Sequence, residues 1–175
     1  MYTAAGLVLE PFKLVLQPMP QFARGENCRS RWSDKHWTRL RQALHRKAGY
    51  QCELCRQPGD NELHETWEGV EERDRPLIWR LTGLVGLCSG CHAACHLSLW
   101  EARSQDRVAV DVHIGLAMYN LARTRWQDHT ASYLDLVETV RAEEADLNAY
   151  VEQHGFTLDL TVCHRAMADK SLWLP

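Results

Sequence analysis

The chain has 175 residues, 45% of them hydrophobic and 25% charged, with a formal net charge of −3. That length suits one domain with its own core, burying about 70% of the unfolded surface. No apolar run reaches the ~18 residues of a membrane span, so no membrane association is expected. Residues 1–21 lack a basic stretch ahead of an apolar core, so no secretion signal is expected either.

The seven cysteines include two C-x-x-C pairs, a usage that points to metal binding in a reducing compartment rather than a disulfide framework. A cytoplasmic location follows as the expectation. Charge is uneven: between Arg24 and Lys47 eight basic residues face two acidic ones, Glu26 and Asp34. Such a segment can hold a polyanion at one face despite a negative total, and it can equally be a solvated amphipathic helix.

In chain order, Leu7 to Leu16 alternates apolar and other residues around Pro11, which predicts short strands or an extended arm within residues 1–32. Ser33 is placed as an N-cap. Trp37, Leu40, Leu44 and Ala48 then recur at helical spacing until Gly49, giving a basic helix over 33–49. It runs directly into Cys52 and Cys55. Glu62 to Trp67 reads as a strand, Glu68 to Arg75 as an acidic solvated loop, and Pro76 to Leu87 as a second strand. From Gly90, Cys91 and Cys95, with His92 and His96, recur at i, i+4 and predict a helix beginning at the second cysteine pair. The metal-bearing core is thus set at 50–100. Two amphipathic helices, Val108 to Arg125 and Thr130 to His154, and a short strand from Phe156 to Val162 make up a C-terminal pack over 108–175. That last strand is expected to pair with the N-terminal arm.

Cys52, Cys55, Cys88 and Cys91 offer the four thiolates of a closed, structural zinc site. Binding of that kind contributes roughly 10 kcal/mol or more to folding. The remaining cysteines, Cys28, Cys95 and Cys163, are expected as ordinary buried or half-buried thiols. A second constellation is His64 on the first strand with His92 and His96 on one face of the following helix. Two histidines at i, i+4 can chelate one ion, and a residue from a facing strand completes an open site. Trp67 and Trp79 are expected in the core, although an exposed tryptophan could stack on a base.

The run of C-x-x-C, His64-Glu65-Thr66-Trp67, Gly83-Leu-Val-Gly-Leu-Cys88 and Cys91-His92 with His96 resembles the HNH endonucleases of the ββα-metal fold, in particular a zinc-knuckle subgroup with an HExW motif. The similarity covers residues 50–97, with weaker likeness at Asn27, Arg29, Ser30 and Trp37 and at Trp173-Leu174. It implies an α+β fold with a treble-clef-like zinc-knuckle core and flanking helices. It further implies hydrolysis of phosphodiester bonds in DNA, or RNA, at a divalent cation (magnesium, manganese, nickel or zinc) held by His64, His92 and His96.

This chain departs from the family pattern in two ways. Where many members have a second strand histidine as general base, Glu65 stands here, so the base is either Glu65 or His64. The family's middle asparagine is missing from Leu81 to Leu87. Arg29, Arg31, Lys35, Arg39, Arg41, Arg46 and Lys47 are the candidate phosphate contacts, and a separate protein partner that confers specificity is compatible with so small a module. The competing expectation is a zinc-knuckle module that binds nucleic acid or protein without cleaving.

Overall fold

A computed structural model of the chain describes residues 2–3, 18–59, 62–95 and 133–172. The sequence expectations for Leu7 to Leu16, the helix over 108–125, His96 and Trp173-Leu174 lie outside those residues. The fold is mixed α and β, built on one sheet.

Strand β3 (Leu77–Leu87) is the centre of that sheet. Strand β2 (Glu62–Val70) pairs antiparallel along its length, from Glu62 opposite Leu87 to Val70 opposite Ile78. Two short strands share its other edge: β1 (Tyr2–Thr3) lies antiparallel opposite Gly83 and Leu84, and β4 (Phe156–Asp159) runs parallel opposite Leu77 to Arg80. Gly83 to Leu87 is buried without a break, the pattern of a strand covered on both faces. The C-terminal strand joins β3; the arm it was expected to pair with lies outside the described residues. The strand is also shorter than expected, because Thr161 opens a helix.

The register shifts between Thr66 and Trp67, where Thr66 pairs with Gly83 and Trp67 with Leu81. Thr82 is the extra residue of this bulge, and its hydroxyl lies 3.0 Å from the Thr66 carbonyl and 2.9 Å from the Thr66 hydroxyl. An added residue inverts the alternation of a strand. Leu77, Trp79 and Leu81 before the bulge thus share a face with Leu84 after it, while Val85 turns to the other side.

Two clusters cover the shared face. Near the bulge, Leu63, Leu81 and Leu84 pack with Leu40, Ala43 and Leu44 of α2 (Asp34–Lys47) and Val162 and Ala166 of α5 (Thr161–Ala168). At the other end, Leu77 and Trp79 pack with Ala23 and with Leu147 of α4 (Tyr133–His154). Each leucine so enclosed contributes about 1.5–3 kcal/mol. Trp67 joins the two clusters, stacked on Trp79 at 6.1 Å.

The helix ends follow their capping residues. Ser33 caps α2 by accepting the His36 N–H. At its other end, Gly49 N–H reaches the Arg46 carbonyl and Tyr50 N–H the His45 carbonyl, a Schellman closure that Gly49 permits at φ +65°. Residues 18–32 are not extended as expected: they form a 3-10 turn (Gln21–Ala23) and helix α1 (Cys28–Arg31), which Asn27 and Ser30 close with a capping box. Helix α4 anchors this segment through Glu144, which accepts the Met19 N–H at 2.6 Å, and Asn148, which accepts the Gln21 N–H at 2.9 Å.

Cys28 and Cys163 are joined in a buried disulfide between α1 and α5. This corrects the expectation of two separate thiols. A spacing rule cannot find a pair 135 residues apart when neither cysteine sits in a motif.

Candidate metal centre and histidine pair

The first C-x-x-C lies in a small hairpin that follows α2. Gln51 bridges Pro58, Cys52 N–H meets the Gln57 carbonyl at 2.9 Å, and Arg56 N–H meets the Cys52 carbonyl at 2.9 Å. The second lies where β3 passes into α3 (Ser89–Cys95), with His92 N–H donating to the Cys88 carbonyl at 2.8 Å. In each pair the second cysteine's N–H points at the first cysteine's sulfur at 3.5 Å, Cys55 to Cys52 and Cys91 to Cys88. Glu53 fastens the hairpin to the sheet: its N–H donates to the Gly86 carbonyl and its carboxylate accepts the Gly86 N–H.

These contacts bring all four sulfurs within 4.8 Å of one another. The group can hold a metal ion, and four thiolates are the donor set a structural zinc takes. The charges of the sulfurs agree. Thiol hydrogen bonds from Cys88 and Cys91 hold the Cys52 thiol far below its ordinary pKa, while burial pushes Cys55 up to about 11. Cys52 thus carries negative charge while Cys55 and Cys91 are pushed towards the thiol; a cation is what would let these ionise as well. Cys95 is buried one turn beyond Cys91, its thiol raised to about 12 by burial, and stands outside the group as the sequence suggested.

Beside this centre, the sheet face opposite the main core carries the histidines. His64, opposite Val85, is buried, and its ring lies 5.2 Å from that of His92 on α3, edge to face at 73°. The Glu62 carboxylate, two residues back on the same face of β2, lies 2.6 Å from His92 Nδ1. An Nδ1 contact to carboxylate fixes a histidine's orientation and reserves Nε2 for another partner. Glu62 was not among the residues singled out from the sequence. The signal was its i, i+2 spacing from His64, which places both on one strand face.

Glu65 is not with the histidines. The register is continuous from Glu62 to Thr66, so Glu65 turns to the opposite face, where its carboxylate accepts the Cys28 N–H at 2.9 Å. Burial raises its pKa to about 7 against the pull of that hydrogen bond. Among the described residues, the four cysteines are the group with three or more donors close enough to share an ion. His64 and His92 supply two imidazoles on a common face.

The candidate phosphate contacts divide. Arg29 pairs with Asp34 at 3.4 Å and Arg31 with Glu26, so the two acids of the segment offset the arginines of α1. Lys35, Arg39, Arg41, Arg46 and Lys47 lie exposed on α2. Lys35, Arg39 and Arg46 share a stripe at i, i+4 and i+11, with Arg46 also 3.5 Å from the Leu172 carbonyl. Among the described residues, no helix is long and apolar enough to cross a membrane. Comparison with protein-family models, with curated proteins and with solved structures gives no match to this chain.

Proposed function

We propose that the chain is a metal-dependent phosphodiesterase of the HNH type that hydrolyses DNA, with a structural zinc on Cys52, Cys55, Cys88 and Cys91 as its frame. The observation that carries this reading is the meeting of His64 and His92 beside the four-cysteine group, one histidine from the strand and one from the helix that leaves the second knuckle. With Glu65 on the other face, His64 is the base: it takes a proton from the water that attacks phosphorus in line with the leaving oxygen. Glu62 orients His92, which with His96 would hold a divalent cation. When bound, that cation supplies positive charge against the oxygen that leaves. The cations of α2 would hold the flanking backbone.

A labelled DNA duplex, incubated with magnesium, manganese, nickel or zinc and with EDTA, tests the proposal. Metal-dependent cleavage that is lost in His64→Ala and in His92→Ala supports it. A second reading, a zinc-knuckle module that binds without cleaving, draws on the near-complete burial of His64, which is 1% exposed, and on the turning away of Glu65. That reading expects binding by every variant and cleavage by none.

A further inference from the structure

We propose that Tyr50, at the junction of the basic helix and the first knuckle, is a stacking platform for a base of single-stranded DNA, with Arg46, Lys47 and Arg56 holding the adjoining phosphates. The inference rests on nucleic acid being the partner, as in the reading above, but not on cleavage.

Three observations meet here. Among the described residues, Tyr50 is the large hydrophobic side chain left exposed, at 57%. Its backbone is held at φ +55°, a left-handed conformation that a bulky L residue adopts only at a cost and where glycine or asparagine would be easier. The surrounding bonds impose it: Tyr50 N–H closes α2 on the His45 carbonyl, and the Tyr50 carbonyl accepts the Gly59 N–H at 3.2 Å across the knuckle hairpin. A bulky aromatic left more than half exposed on a backbone in the left-handed region is an outlier of the kind that gathers at binding sites.

The third observation is charge. Arg46 and Lys47 are exposed in the turn before Tyr50, and Arg56 is exposed on the same hairpin, itself at φ +63°. The acid of that hairpin, Glu53, is turned inward onto Gly86. An exposed aromatic flanked along the chain by exposed cations matches the recognition of single strands, where bases stack on rings and phosphates meet basic side chains. A paired duplex buries its base faces and offers a ring of this kind nothing to stack on.

The test is fluorescence anisotropy of a labelled oligothymidylate with the full, zinc-loaded chain and no added divalent metal. Tyr50→Ala should weaken binding about tenfold or more, Tyr50→Trp should keep it, and Arg56→Ala or Lys47→Ala should each lower the salt slope by about 0.7. Tyr50→Gly, which relieves the backbone, should lose affinity like Tyr50→Ala while melting no lower than wild type. Wild-type affinity in Tyr50→Ala and Tyr50→Gly, or binding to duplex alone, overturns the platform. Plasmid nicking by the same variants separates the two proposals: nicking with Tyr50-independent binding sinks this one, and Tyr50-dependent binding without nicking sinks the nuclease.

Discussion

Glu65 and His64 are neighbours in sequence with opposite surroundings, and each predicts a different behaviour. Glu65 keeps its proton in the folded chain up to about pH 7, whereas an unfolded glutamate ionises near pH ~4.3. The stability it contributes is therefore full below the unfolded pKa and is lost as pH rises to about 7. Glu65→Gln, which cannot ionise, should match wild type in acid and exceed it by about 3–4 kcal/mol at pH ~8, as read by urea unfolding across that range. The variant should also keep any cleavage activity, since its side chain faces Cys28 rather than the histidines. Glu62→Gln should act the other way, leaving stability within ~0.5 kcal/mol while lowering metal affinity or turnover by about tenfold or more.

The two knuckles show how local chemistry sets the elements around the site. Both C-x-x-C turns, the Ser33 cap, the Gly49 stop, strand β3 and β2 as far as Trp67 could be read from sequence, because each depends on residues within a few positions of one another; Glu68 to Val70, expected in a loop, continue β2. The bulge at Thr82, the parallel pairing of β4 and the Cys28–Cys163 disulfide could not, since each depends on partners far along the chain. The choice between His64 and Glu65 as base was open for the same reason: it turns on whether β2 stays in register at that point.

Two outcomes follow for these elements. Cys52→Ser or Cys88→Ser should abolish zinc binding and unfold the hairpin that carries Tyr50, as zinc analysis and circular dichroism would record. Reduction of the disulfide, which ties α1 to α5, should lower stability by about 2–5 kcal/mol; thermal melting of Cys28→Ala/Cys163→Ala, which no longer responds to reductant, checks that the loss comes from this bond.

In the whole molecule, the sheet separates two tasks. One face is filled by α2, α4 and α5 and carries most of the apolar burial, with Glu65 and the disulfide inside it. The other, at the end of β3, carries the histidine pair beside the four-cysteine group. Helix α2 links them: its inner side packs on the core, its outer side is basic, and its last turn leads into the first knuckle.

In the proposed nuclease, His64 and His92 act on a phosphodiester while the cysteines only frame them. Nicking of supercoiled plasmid by wild type and His64→Ala, matched in zinc content and thermal stability, tests it most directly. Metal-dependent nicking by wild type with a loss of about a hundredfold or more in the variant is expected; equal nicking by the two, or none by either with every metal, would overturn the nuclease reading.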